Sequence, residues 1–191
     1  MARPRNFDAD TVIERAMDQF WSHGYANTSP AQLAEATGIG KGSLYNTFGS
    51  KRALFDQALQ RYGRSGVALA EDYMSRPGST RDCLRAYLRA AVDLDFATPI
   101  RRGCLAVNTA AEFGGQDPAI TAAIRDIEQR IVAVLAARIE QGRRDGDIDA
   151  DVDASAVATL LFTTSIGLRM MAKTNDAPAL YRLVDLTLTV L

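Results

Sequence analysis

The segment 29–48, SPAQLAEATGIGKGSLYNTF, constrains the fold more than any other part of the sequence. Ser29 is a good N-cap and Pro30 suits the first helical position, so a helix starts here. Leu33 and Ala34 form its inward side, and Gly38 stops it after about two turns. Gly38-Ile39-Gly40 reads as a tight turn with Ile39 as its buried plug. A second short helix then holds Leu44 and Phe48 on one side and ends at Gly49-Ser50. Helix, glycine-containing turn and short helix form the helix-turn-helix pattern.

The remainder also reads as helix, with no Val/Ile/Thr-rich alternation long enough for a sheet. A first helix begins near Asp8 or Asp10 and runs to His23. Val12, Ile13, Ala16, Met17, Phe20 and Trp21 form its apolar stripe, and Gly24 ends it. A fourth begins at Lys51 and carries Leu54, Phe55, Ala58 and Leu59. After a break at RPGST (76–80), helices are expected over 81–97, 103–113, 118–143, 153–173 and 177–191. The expected fold is all-α, about nine helices, with a helix-turn-helix domain and N-terminal arm over 1–51 and a second helical domain over 52–191.

Composition narrows the function. The chain has 191 residues, 47% hydrophobic and 24% charged, enough apolar content for a real core and too little charge for a disordered chain. Its start is polar, without a signal-peptide core. The most apolar stretch, 156–172, is interrupted by hydroxyls and Arg169, so no membrane span is expected. Two cysteines, Cys83 and Cys104, are too few for a disulfide framework, and a cytoplasmic protein with reduced thiols is expected. Residues 1–66 carry eight Lys/Arg against six Asp/Glu, while the remainder carries 14 against 17. That asymmetry fits an N-terminal part that meets a polyanion. His23 is the only histidine, placed to complement a helix C-terminus. No catalytic triad, metal-ligand spacing or cofactor motif is visible, so neither catalytic residues, metal nor cofactor is expected. Phe20, Trp21, Phe48 and Phe55 recur at helical spacing and read as core.

The second short helix has the surface a major groove admits, with leading residues that are small or carry donors. Gly42 permits close backbone approach, Ser43 is short, and Lys41 points toward phosphate or a guanine edge. Tyr45 and Asn46 lie on the outer side, within reach of phosphate and base. Lys51 at the next helix N-terminus, and Thr28, Ser29 and Gln32 from the preceding helix, are further phosphate candidates. Arg3 and Arg5 form a basic arm suited to a minor groove.

Residues 24–59, GYANTSPAQLAEATGIGKGSLYNTFGSKRALFDQAL, closely resemble the DNA-binding domain of the TetR/AcrR family of bacterial transcriptional regulators. The shared positions are Gly24, Thr28, Leu33, Ala34, Gly38, Lys41, Gly42, Leu44, Tyr45, Phe48, Lys51, Leu54 and Phe55. Pro30, Gly40 and Asn46-Thr47 depart from the commoner pattern, and the last pair bears on which base sequence is preferred. The resemblance implies a cytoplasmic homodimer on double-stranded palindromic DNA, and a repressor released by a small apolar or electrophilic effector. It also implies an effector site among helices 5 to 8, with Tyr87, Phe96, Cys104, Asn108, Phe113, Phe162, Ile166 and Met170 as candidate lining. Alternatives are an effector-independent DNA-binding protein and an enzyme using the helical cavity.

The last two helices are apolar around most of their circumference and need cover on more than one side. Val157, Leu161, Thr164, Leu168, Leu180, Leu183 and Val184 are the expected seam with a second copy. Residues 101–120, RRGCLAVNTAAEFGGQDPAI, resemble a segment of TetR-like regulators with Gly-Cys opening the sixth helix, some of which sense electrophiles or oxidants. Cys104, after Arg101, Arg102 and Gly103 at a helix N-terminus, is read either as a reactive thiol or as a small, inert core residue.

Overall fold

The structure is a computed structural model that describes residues 7–191. Among these, nine α-helices follow in order: α1 (Ala9–His23), α2 (Pro30–Thr37), α3 (Lys41–Phe48), α4 (Lys51–Met74), α5 (Thr80–Phe96), α6 (Leu105–Phe113), α7 (Pro118–Asp145), α8 (Ala154–Met171) and α9 (Ala177–Thr187). A short 3-10 turn, Leu188–Val190, follows α9.

Capping explains where the helices start. The carboxylates of Asp8, Asp153 and Asp176 accept backbone N–H groups of the first turns of α1, α8 and α9. At α2 the Ser29 hydroxyl accepts the Gln32 N–H, and the Gln32 side chain accepts the Ser29 N–H at 2.7 Å, closing a capping box. Gly38 ends α2 in the left-handed region, at φ 73°. Ile39 is half-buried instead of forming a fully buried plug.

Contacts divide the chain into two compact units. The first comprises the described residues up to Gly63 together with Leu105–Ala123, and the second comprises Arg64–Cys104 and Ile124–Leu191. Helices α4 and α7 each continue from one unit into the other.

In the first unit α2 packs on α1 and α3. Its core holds Phe20, Leu33, Leu44, Leu54, Phe55 and Leu59, each at most 1% exposed. Phe55 meets Phe20 edge-on at 5.0 Å, and Phe113 from α6 stacks near Phe55 at 5.9 Å. Trp21 is half-buried against Tyr62.

In the second unit α5 packs against α8 and α9. Leu84, Leu88, Val92, Leu161, Leu168, Leu180 and Val184 fill the interior. α8 is long and apolar enough, by length and composition alone, to cross a membrane, which the sequence reading did not expect. Its packing on α5 and α9 accounts for one apolar side. Ala154, Ala158, Leu161, Ser165 and Leu168 form that buried side. The opposite side stays uncovered, with Leu160 43% and Met171 42% exposed.

That division corrects the expected seam. Leu161, Leu168, Leu180 and Val184 are buried inside the chain's own unit and have almost no surface left for a second copy. Val157 and Thr164 are half-buried and Leu183 is exposed. The uncovered apolar side consists of Leu160, Met170 and Met171 on α8, Leu183 and Leu186 on α9, and Val190 just beyond it.

Candidate nucleic-acid interface and effector domain

α3 is held from behind by Leu44, fully buried, and Phe48, 7% exposed. This fixes which residues face outward. Lys41, Gly42, Ser43 and Asn46 are exposed. Within the described residues none of the Lys41, Ser43 and Asn46 side chains makes a hydrogen bond or ion pair. The first two turns of α3 thus place three uncommitted polar groups and a bare backbone on one surface. That is the composition a major groove requires.

Other expected contacts are placed differently. Tyr45 is half-buried, and burial, then the neighbouring Tyr25, pushes its phenol above the ordinary value. The Lys51 ammonium lies over the Tyr25 ring at 4.3 Å. Burial pushes that ammonium below its usual value, while nearby Glu112 opposes the shift. Ser29 is exposed, and Gln32 spends its carbonyl oxygen on the capping box. Thr28 is a correction. It has no exposed surface, and its hydroxyl donates to the Gly24 carbonyl at 2.6 Å, so it holds the α1–α2 turn and presents no donor outward. Arg3 and Arg5 lie outside the described residues. His23 is exposed at the end of α1, its Nδ1 3.2 Å from the Gln19 carbonyl oxygen.

The sequence reading missed how the end of α6 is tied to this unit. The Glu112 carboxylate accepts the N–H groups of Tyr25, at 2.8 Å, and of Ala26. Asp117 accepts from the Arg52 guanidinium, which also reaches Asp56 at 2.7 Å. Arg52 and the N–H of Ile120 hold the Asp117 carboxyl down to about 2. Phe113, expected as ligand lining, packs instead with Tyr25 and Phe55 in an aromatic cluster of the first unit. No local sequence signal marks the Glu112 bonds or the Arg52–Asp117 pair, because their partners lie 65 to 87 positions apart.

The second unit gathers Tyr87, Phe96, Cys104, Phe162, Ile166 and Met170, whereas Asn108 and Phe113 belong to the first. Tyr87 and Cys104 are buried, Phe96, Phe162 and Ile166 half-buried, and Met170 exposed. Burial pushes the Tyr87 phenol up to about 12, partly offset by Ser165 and Arg169.

Beside Cys104 lies a buried charge pair. Asp95, 2% exposed, accepts from Arg169 at 3.0 Å and from the Gly103 N–H at 2.8 Å. Arg169 also donates to the Gly103 carbonyl at 2.7 Å. The peptide groups flanking Gly103 are thereby gripped by α5 and α8. Gly103 sits at φ 70°, and a Cβ there would come 3.0 Å from Lys173 Cε, so only glycine fits. Cys104 itself is 8% exposed and is not in a disulfide.

A helix-turn-helix with an uncommitted outer face, followed by a helical unit, defines a class: one-component DNA-binding regulators. Comparison with known proteins makes it specific. Residues 12–58 match the description "Bacterial regulatory proteins, tetR family", and residues 78–186 match "Tetracyclin repressor-like, C-terminal domain". The uncharacterized HTH-type transcriptional regulator YezE of Bacillus subtilis is 31% identical over the full length of both chains. The HTH-type transcriptional repressor ComR of Escherichia coli is 27% identical over 99% of this chain and 90% of its own. A cysteine mutant of the TetR family regulator CifR, solved in complex with a 26-base-pair double-strand operator DNA, superimposes with a TM-score of 0.86. It is 34% identical, with 98% of each chain covered. The chain belongs to the TetR family of bacterial transcriptional regulators.

Proposed function

We propose that the chain is a cytoplasmic, homodimeric repressor without enzymatic activity, which leaves a palindromic operator when a small apolar or electrophilic effector binds. Residues 1–51 serve the DNA and 52–191 serve the effector and the second copy. The observation that carries the reading is the outer face of α3, where Lys41, Ser43 and Asn46 are exposed and uncommitted. In this reading Asn46 reads a base edge, Lys41 and Lys51 meet phosphate, and Ser29 and Gln32 assist. Tyr45, half-buried, reaches phosphate with its hydroxyl.

The operator-bound structure of CifR supports duplex DNA as partner, and ComR's description as a repressor supports the sign. The DNA in that CifR complex has 26 base pairs, about two and a half turns. One recognition helix reads one major-groove face, so two copies about 34–36 Å apart suit such a site. Val157, Thr164 and Leu183, with Leu160, Met171 and Leu186, form the dimer face.

An effector among the helices of the second unit releases DNA only if it binds the DNA-incompetent arrangement better. α4 and α7 are continuous through both units and form the covalent route for that coupling. Glu112 and Asp117 anchor the α6–α7 corner to the first unit, which makes the headpiece responsive to that corner.

A covalent effector is favoured by one observation: Cys104 immediately precedes α6, directly after the clamped Gly103. Modification of that thiol would strain a fixed corner instead of a yielding loop. The test is a gel shift on the gene's own upstream region, with N-ethylmaleimide and with a panel of apolar small molecules. Release by N-ethylmaleimide in wild type and Cys83→Ser but not in Cys104→Ser supports the thiol reading. Release by an apolar compound in all three supports a non-covalent effector, and no shifted duplex at all contradicts the DNA-binding reading.

A further inference from the structure

Gly42 lies in the first turn of α3 with ordinary right-handed helical backbone; it is absent from the positive-φ glycines. A Cβ built on it would meet nothing within 4 Å. Neither backbone conformation nor packing inside the chain therefore calls for glycine here. Gly40, the N-cap of α3, and Gly167 in α8 are equally open, but the remaining glycines differ in this respect. Gly38 and Gly49 sit at φ 73° and 83°, and at Gly103 a Cβ would crowd Lys173. Glycine disfavours helix relative to alanine, so the free protein would be better served by alanine at 42.

The surroundings of this gap are polar and exposed: Lys41 and Ser43 flank it, and Asn46 stands one turn further on. At 100° per residue, Asn46 lies about 40° round the helix from Gly42. Residues four apart share one face of a helix, so Asn46 and the bare backbone at 42 lie on the same side of α3.

We propose that Gly42 is a specificity-determining gap. The missing Cβ lets the α3 backbone come into van der Waals contact with base edges in the major groove. At that depth the Asn46 amide reaches the N6 and N7 of an adenine in bidentate fashion. The proposal rests on the DNA-binding reading above and deepens it. It has an unusual signature: a methyl group at 42 sits in open solvent in the free protein and collides only in the specific complex.

The experiment first selects duplexes from a randomised pool on the wild-type protein. Wild type and Gly42→Ala are then compared on the selected duplex and on a mixed-sequence duplex of equal length, at one salt concentration. Thermal unfolding is measured without DNA. Gly42→Ala is expected to raise Tm by about 1–4 °C. It is expected to bind the selected duplex at least tenfold more weakly while binding the mixed-sequence duplex as wild type does. Selection on Asn46→Ala is expected to lose one adenine that wild type requires. Binding of Gly42→Ala within twofold of wild type overturns the proposal, as does a fall in Tm or an equal loss on both duplexes. If wild type enriches no sequence, the DNA-binding reading itself fails, and the proposal with it.

Discussion

The Glu112 carboxylate accepts the backbone N–H of Tyr25 at 2.8 Å, joining the end of α6 to the turn between α1 and α2. The same carboxylate takes the Ala26 N–H. Two amides that follow the end of α1 are therefore satisfied by a residue from the far side of the sequence. Glu112→Ala leaves both to solvent. A charge-assisted bond to an exposed carboxylate contributes on the order of 1 kcal/mol. Amide hydrogen exchange at Tyr25 and Ala26 is expected to accelerate about fivefold, with exchange in α8 unchanged. Equal exchange at both amides in mutant and wild type would show that the contact does not hold in solution.

Asp117 gives a pH signature. Its carboxyl is held down to about 2, chiefly by the Arg52 guanidinium, from an ordinary value of 3.8. A depressed carboxyl stabilises the fold while ionised, so this contribution is full above pH 4 and is lost as pH falls toward 2. Asp117→Asn keeps the capping of Ala119 and Ile120 but loses the charge. The Tm difference between wild type and Asp117→Asn is expected to be constant from pH 7 to 5 and to shrink between pH 4 and 2. A pH-independent difference would contradict the ion-pair account.

Neighbouring leucines on α8 should behave oppositely. Leu161 is fully buried within the chain and Leu160 is 43% exposed. Leu161→Ala is expected to cost about 2–5 kcal/mol of stability and to leave a dimer. Leu160→Glu is expected to yield folded monomer, because it places an unpaired charge only in the contact with a second copy. Sedimentation and urea unfolding read the two outcomes, and a dimeric Leu160→Glu protein would move the seam elsewhere.

The sequence carried the local part of this architecture. Capping residues Asp8, Ser29, Asp153 and Asp176, with the stops at Gly24, Gly38 and Gly49, place most helix ends within one or two residues of where they lie. The outer face of α3 was legible for the same reason, since Leu44 and Phe48 fix its rotation. α8 was not: apolar residues surround it, so periodicity could not separate the side that packs on α5 from the side left uncovered. Thr28 looked like a surface donor because a hydroxyl before a helix commonly caps it, but Ser29 does the capping and Thr28 turns inward. Glu112 with Tyr25, and Asp95 with Arg169, join residues over 70 positions apart, and only the folded chain brings them together.

The Asp95–Arg169 pair predicts a double-mutant cycle. Asp95 is 2% and Arg169 12% exposed, so removing either partner leaves a buried charge uncompensated. Asp95→Asn and Arg169→Met are each expected to cost about 3–5 kcal/mol in urea unfolding. The double mutant should cost less than the sum of the two. Additive losses would show that the two groups do not stabilise each other.

The central claim, that α3 docks on duplex DNA, is tested most directly by salt-dependent anisotropy on the selected duplex. Wild type is expected to lose affinity linearly in log salt, as phosphate contacts release counterions. Lys41→Ala is expected to reduce that slope by about one, and Asn46→Ala to leave the slope intact while lowering affinity. Wild-type slope and wild-type affinity in both mutants would contradict the account.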